Sequence, residues 1–535
     1  MRDGERVRLL EQCDWRSSIV EYLRSDSDGD FYRFVGRRGD VETALSGTEL
    51  LGRAGAQIGP LRQSAPGGST VALAMSAGAD FFIMLTACLL GGYTVLPLPA
   101  PGPGPTQRRL ESALKVARPA ILVVDAKRSE QGRELALRHE IATVFQVREG
   151  QTELEIGAPA EVAVLQPTSG TGGDAKIAMI TGENILANAQ FVLRECNVGP
   201  GDRVLNWLPH YHDMGLFGTF LVPLVRQLRI VQMAPLTFIQ RPRRWLQALS
   251  DYRANISGTP AFGLELCLEA TAAEDLGDFD LSAMKAMYCG SEPIPHDLID
   301  RFARAMAPTG LNPDSIFASY GMSEATLYIA GKPSPQGDPS VGIYHDGKHK
   351  VAIVDPAQPI FLEGGEEGEI AFCGPSQFRG YLGRSHDDLL FEDANGDQWF
   401  RTGDLGRFRG ERLIVTGRKK DILIVNGVNI APNEIEEVAA SVDKRLAPMG
   451  AAAFHVGSID DLQTVLLIET RRSGKDALGA KLEQAMVKRV ESETGLTLSR
   501  VLVLPPGSLP RTTSGKIRRA VARSRFEAGE FGAEA

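Results

Sequence analysis

The chain of 535 residues carries 58 Lys and Arg against 67 Asp and Glu, a formal charge of −9, and is 43% hydrophobic and 7% aromatic. That balance describes a soluble globular chain of two or more domains, each able to bury a core, and excludes extended disorder, a collagen-like repeat and a disulfide scaffold. An acidic chain also argues against a nucleic-acid-binding surface, although Lys516, Arg518, Arg519, Arg523 and Arg525 form a local basic cluster. The opening MRDGERVRLLEQCDW is charged throughout and lacks the apolar core of a signal peptide. Cys13, Cys88, Cys196, Cys267, Cys289 and Cys373 form no C-x-x-C pair, so a cytoplasmic location without structural zinc is expected. The 57 glycines exceed the ordinary share of about 7% and predict many tight loops.

In chain order, VALAM reads as a buried strand. No charge occurs from Phe81 to Gln107, long enough to raise the question of a membrane span, but Gly91-Gly92 and the prolines from Pro97 to Pro105 break the run. It predicts a buried helix (FFIMLTACLL), a buried strand (YTVLPLP), a Pro/Gly loop and a basic amphipathic helix over Arg108–Val116, before the strand ILVVD. This alternation is the α/β pattern of parallel strands with crossover helices. After Lys350 the strands VAIVD, GEIAFCG, RLIVTG and DILIVNG follow one another with few helices, a β-rich subdomain. AAAFHVG, TVLLIET, the helix through KLEQAMVKRVESETG and the strand VLVLPPG then predict a small α+β domain. The expected organisation is a large N-terminal domain of mixed α/β layers over 1–417, with 350–417 its β-rich part, a hinge at 418–421, and a mobile C-terminal domain over 422–535.

Five segments carry chemistry. PTSGTGGDAK lies between two strands, and its glycines let backbone N–H groups converge on an anion while hydroxyls and Lys176 add donors. It lacks the Gly-Lys-Ser/Thr of a Walker loop, and the strand IAMI after it denies a dinucleotide fingerprint its helix, so alone it is either a phosphate loop or a plain glycine hairpin. NWLPHYHDMGLFG groups His210, His212 and Asp213 at a spacing that is no metal signature. In YGMSEAT, Glu324 is either an exposed loop carboxylate or, beside a polyphosphate, a magnesium ligand. WFRTGDLGRF with VTGRKKDILIVNGVNIAPNEIE, and PRTTSGKIRR presenting Lys516, complete the set.

Together and in this order, these motifs resemble those of the adenylate-forming superfamily of acyl-CoA synthetases, nonribosomal-peptide adenylation domains and luciferases. NWLPHYHDMGLFG, SGTPAFGLELC, YGMSEATLYIAG and VLPLPAPGPGP are most similar to the fatty acyl-AMP ligases. The resemblance implies ATP and Mg²⁺, with Thr168, Ser169, Gly170, Thr171 and Lys176 over the phosphates and Glu324 on the metal. It implies an adenine slot from Gly290, Ser291, Glu292, Tyr320, Gly321, Met322 and Ser323, and ribose contacts from Asp404 and Arg418. Lys516 would reach the reacting carboxylate and α-phosphate, His212 would stand between acyl and phosphate pockets, and Lys420 would be the pivot of the C-terminal domain. His210, Asp213, Phe217, Phe262 and Leu264 are candidates for the acyl pocket.

Attack of a carboxylate on an α-phosphorus brings two anions together, so a lysine and Mg²⁺ that neutralise charge address the barrier itself. A lysine, with an ordinary pKa of about 10.4, serves there as a cation rather than a base. The implied reaction is activation of a carboxylic acid, fatty or related, to an acyl-adenylate, followed by transfer to the phosphopantetheine of an acyl carrier protein. The alternatives are a CoA ligase, a stand-alone amino-acid-activating enzyme, or a non-catalytic nucleotide-binding homologue. Two departures from the family stand out. The phosphate loop has Gly172, Ala175 and Ile177 where relatives carry a second hydroxyl and a Pro-Lys-Gly, and the Leu327–Val351 segment is short, which leaves the acceptor open between carrier protein and CoA. No membrane span and a monomer or dimer are expected.

Overall fold

The computed structural model describes residues 14–36, 38–168, 175–192, 194, 196–271, 276–332, 340–342, 347–425, 428–457, 463–471, 480–512 and 515–531. The chain divides into two compact units. One comprises Met1–Ser291, Asp297–Val351 and Phe372–Phe400, the other Glu292–His296, Ala352–Ala371 and Arg401–Ala535.

The first unit is α/β. Its larger sheet places, in spatial order, strands Tyr328–Gly331, Ile316–Gly321, Ala286–Cys289, Ile256–Thr259, Arg203–Asn206, Arg229–Met233, Tyr32–Val35 and Val41–Leu45. The six inner strands run parallel and each edge strand is antiparallel. A second sheet orders Thr143–Phe145, Ile121–Val124, Thr70–Met75, Thr94–Pro99, Val164–Pro167 and Ile177–Ile180, parallel except for the last. Every residue of Ile121–Val124 and of Thr94–Pro99 is buried. That is why these strands read as unbroken apolar runs rather than alternating ones: a parallel sheet is covered on both faces.

The uncharged run resolves as predicted. Helix Ala79–Gly91 buries all of Phe81–Gly91, then Thr94–Pro99 enters the sheet. Phe82 lies 6.2 Å from Phe31, 5.0 Å from Tyr32 and 4.9 Å from Phe220, ring centre to ring centre. The helix is apolar all round because protein surrounds it, and among the described residues no helix is long and apolar enough to cross a membrane.

In the second unit, strands Leu446–Val456, Gln463–Thr470 and Arg500–Leu504 form one sheet, antiparallel then parallel. Leu466 and Ile468 face helices Pro432–Ala440 and Ala480–Thr494 through Ile435, Met486 and Val490. Val465 and Leu467 pack on the other face with Ala452, Phe454 and Ala522 of helix Arg519–Glu527. The period-2 alternation thus feeds two cores, and TVLLIET is apolar on both. In the glycine-rich middle of the chain, Gln398–Arg409 is a single strand of 12 residues. It pairs antiparallel with Arg412–Arg418 from Asp404↔Arg418 to Arg409↔Arg412. Cys88, Cys196, Cys267, Cys289 and Cys373 are buried and form no disulfide among the described residues; Cys13 lies outside the described residues.

Candidate active site

Four neighbouring parallel strands of the larger sheet, Ile316–Gly321, Ala286–Cys289, Ile256–Thr259 and Arg203–Asn206, end on the same edge. Beyond their carboxyl ends come, respectively, the SEAT turn, the GSEP turn, the PAFG helix start and the LPHYHD segment. In open parallel sheets this crevice is where ligands bind, and the topology gathers there motifs that are distant in sequence.

Backbone approach is close at this edge. A Cβ on Gly321 would stand 1.8 Å from the Leu327 carbonyl oxygen, so no larger residue fits. Gly290 would meet the Ser319 carbonyl oxygen at 2.6 Å, and Ser291 adopts φ +75°. Tyr320 and Met322 are half-buried and Gly321 is exposed. Glu292 belongs to the second unit.

His212 is half-buried at the start of the short helix Asp213–Leu216. Its Nδ1 lies 2.8 Å from Asp213 Oδ1, and an acceptor there places the ring proton on Nδ1. The Ser323 hydroxyl donates to Asp213 Oδ2 at 2.7 Å. A chain of hydrogen bonds therefore ties the histidine segment to the turn that carries Glu324. His210 is of another kind. It is buried, its Nε2 donates to the Met75 carbonyl at 2.9 Å, its ring centre is 4.3 Å from that of Phe81, and burial pushes its pKa down to about 4. Phe217 and Leu264 are fully buried, and Phe262 packs edge-on to Trp207 at 5.7 Å.

Glu324 is 7% exposed and accepts a 2.5 Å hydrogen bond from the Tyr381 hydroxyl at Oε1. Burial, with the Glu324 charge beside it, holds that phenol well above its ordinary range and keeps it a donor. Lys176 Nζ stands 5.0 Å from the centre of the Tyr381 ring. The Thr168 N–H donates to the Lys176 carbonyl at 2.9 Å, at the base of the glycine-rich segment between the two strands. The Ala175 N–H donates to Ser112 Oγ at 2.9 Å. Ser169, Gly170 and Thr171 lie outside the described residues. No motif in the sequence marks Tyr381 or Ser112. The only signal for Tyr381 was an aromatic with a polar tip between glycines in FRGYLG.

In the second unit, Asp404 is buried and forms an ion pair at 3.0 Å with Arg418 Nε, opposite it across the hairpin. Lys420 is exposed on the turn Lys419–Asp421. Lys516 is half-buried in a tight loop: Thr512 N–H donates to its carbonyl at 2.7 Å, its own N–H donates to Thr512 Oγ1 at 3.0 Å, and Gly515 takes φ +87°. Two buried carboxylates anchor the flanks. Glu469 accepts from Arg511 at 2.8 Å and from the Leu509 N–H at 2.7 Å, and Glu436 accepts from Arg519 at 2.6 and 2.5 Å.

Among the described residues no three His, Cys, Asp or Glu side chains converge as a metal cage. The donor set around Glu324 is that of a hard cation sharing a polyphosphate: one carboxylate, with hydroxyls and a lysine nearby, which suits Mg²⁺.

Residues 40–382 match the family described as AMP-binding enzyme. The chain belongs to that family. The matched stretch contains Thr168, Lys176, His212, Glu324 and Tyr381 and stops before Asp404, Arg418 and Lys516. A long-chain-fatty-acid–AMP ligase of Mycobacterium marinum is 30% identical to this AMP-binding enzyme, over 98% of this chain and 97% of its own. A medium-chain-fatty-acid–[acyl-carrier-protein] ligase of Teredinibacter turnerae is 33% identical over 69% of this chain, which spans 63% of that protein. A solved structure from work on fatty acyl-adenylate ligases of E. coli and L. pneumophila superimposes with a TM-score of 0.83 at 28% identity, covering 97% of this chain and 98% of the other. The fold is that of an adenylate-forming enzyme, and the chain is an acid–AMP ligase that uses ATP.

Proposed function

We propose that this AMP-binding enzyme activates a fatty or related carboxylic acid as its acyl-adenylate, releases pyrophosphate, and passes the acyl group to the phosphopantetheine thiol of an acyl carrier protein. The carrying observation is the unbroken contact chain His212–Asp213–Ser323, continued through the adjacent Glu324 to Tyr381 and Lys176. It joins the segment expected at the acid to the groups expected at the phosphates. The fatty-acid names of the relatives support the acyl class, and the carrier-protein name of one of them supports the acceptor.

In this reading Gly290, Ser291, Glu292, Tyr320, Gly321, Met322 and Ser323 receive the adenine, and Asp404 and Arg418 the ribose. Thr168, Ser169, Gly170, Thr171 and Lys176 hold the phosphates. When bound at Glu324, Mg²⁺ supplies Lewis-acid neutralisation of the phosphate oxygens. His212, with its proton held on Nδ1, turns Nε2 toward the acid. The carboxylate oxygen attacks the α-phosphorus, the bond to the pyrophosphate oxygen breaks, and Lys516 stabilises the charge that builds on the transferring group. His210, Asp213, Phe217, Phe262 and Leu264 shape the acyl side. The thiol then attacks the acyl carbonyl, the bond to the phosphate oxygen breaks and AMP leaves; it needs the place Lys516 held, and a pivot at Lys420 withdraws the 422–535 domain from the 1–417 body. A cytoplasmic place of action belongs to the same reading.

The test is acid-dependent pyrophosphate release with Mg-ATP over a panel of fatty, aryl and amino acids, followed by transfer to CoA and to a phosphopantetheinylated carrier. CoA is included because Leu327–Val351 is short. Release specific to fatty acids with transfer to the carrier is the expected result; release with no acid of the panel would sink the reading.

A further inference from the structure

Tyr381 touches both groups on the phosphate side of the site, and the backbone around it is strapped in place. The Met179 N–H donates to the Gly380 carbonyl, the Arg379 N–H to the Met179 carbonyl and the Leu382 N–H to the Ile177 carbonyl, each at 2.9 Å. Tyr381 opposes Ala178 in an antiparallel bridge. The segment thus runs along Ile177–Ile180, the strand that leaves the phosphate loop, through these bonds and a single bridge. On its other side the Phe378 N–H donates to the Glu324 carbonyl at 2.8 Å, and the Phe378 ring packs edge-on to Tyr381 at 4.8 Å. The Tyr381 side chain is 6% exposed, with its ring against Phe378 and its hydroxyl on Glu324.

We propose that Tyr381 is a positioning residue for pyrophosphate release: its hydroxyl fixes the Glu324 carboxylate and its ring fixes the Lys176 ammonium, setting the distance between the metal's carboxylate and the phosphate's cation. The inference rests on the reading of Glu324 as the Mg²⁺ carboxylate. A phenol donating to a carboxylate is a charge-assisted hydrogen bond, of the strong kind, and orients the carboxylate plane. The ring face attracts the ammonium without neutralising it, so Lys176 keeps its charge for phosphate. Outer partners of this kind commonly shift metal affinity by about 10- to 100-fold when removed. The sequence hides the arrangement, because Tyr381 and Glu324 are 57 residues apart.

The two contacts separate by substitution. Tyr381→Phe keeps the ring and loses the hydroxyl, whereas Lys176→Gln, at an exposed position, removes the cation without threatening the fold. Binding of Mn²⁺, a spin probe for the Mg²⁺ site, is measured by electron paramagnetic resonance on the full chain saturated with ATP, and metal-free ATP binding by calorimetry. Tyr381→Phe should weaken Mn²⁺ about 10-fold, with metal-free ATP affinity and the KM for the acid within about 2-fold of wild type. Lys176→Gln should weaken metal-free ATP binding. Glu324→Gln should weaken Mn²⁺ at least as much as Tyr381→Phe, and the double variant no more than Glu324→Gln alone, as expected of one coupled unit. A merely structural tyrosine would lower thermal stability and leave Mn²⁺ affinity unchanged. Wild-type Mn²⁺ affinity in Tyr381→Phe with a weakened Glu324→Gln overturns the positioning role. Wild-type affinity in both overturns the Glu324 reading, and the proposal with it. Unchanged metal-free ATP binding in Lys176→Gln overturns the part assigned to the ring.

Discussion

His210 and His212 are two residues apart and differ in what surrounds each ring. His210 is 3% exposed among Met75, Phe81 and Tyr211, and burial holds its pKa near 4. His212 faces a carboxylate that is itself held by Ser323. A histidine with a depressed folded pKa contributes stability that is complete above its unfolded value of about 6.5 and is lost as pH falls through about 4. The size is on the order of 3 kcal/mol. Urea unfolding between pH 7 and pH 4 should therefore show a steeper loss in wild type than in His210→Gln, which cannot titrate. At the residue scale the sequence offered His-Tyr-His-Asp as one cluster, because spacing carries no information about burial. Which histidine sits under Phe81 is decided by a helix more than a hundred residues upstream.

At the scale of elements, the uncharged run was the most legible feature. Gly and Pro bounded it, and its helix and strand fall where those residues allow. Replacing Phe82 by Ala should cost about 3–5 kcal/mol, because the side chain is fully buried and its ring meets Phe31, Tyr32 and Phe220. Denaturant unfolding of the variant checks this, and a loss below about 1 kcal/mol would remove the helix from the core of the first unit. Less legible was WFRTGDLGRF, whose glycines conceal a continuous strand. Gly403 takes φ +75° within it, and the register slips between Leu405 and Gly406. A bulge of this sort re-aims a side chain, and Asp404 stands beside it opposite Arg418. The segment 378–382 was illegible for a different reason: it holds its place through partners on two other elements, not through its own pattern.

For the whole molecule, the α/β class, the β-rich middle and the α+β C-terminal sheet follow from apolar runs and their spacing, whereas the order of strands in each sheet does not. The site belongs to that second kind of information, since it arises where four strands distant in sequence end on one edge. The pivot assigned to Lys420 makes its own prediction. Lys420→Pro would remove a backbone N–H and fix φ at the turn Lys419–Asp421. Single-turnover assays should then show adenylate formation within about 3-fold of wild type and acyl transfer slowed about 10-fold or more. Equal effects on both halves would remove Lys420 from the pivot. The proposed reaction is an acid attacking ATP under the charge of Lys516, and ATP/pyrophosphate exchange dependent on a fatty acid measures it most directly. Exchange in wild type that falls about 100-fold or more in Lys516→Ala, with ATP binding retained, is the predicted result; exchange that survives the substitution, or that no acid elicits, contradicts it.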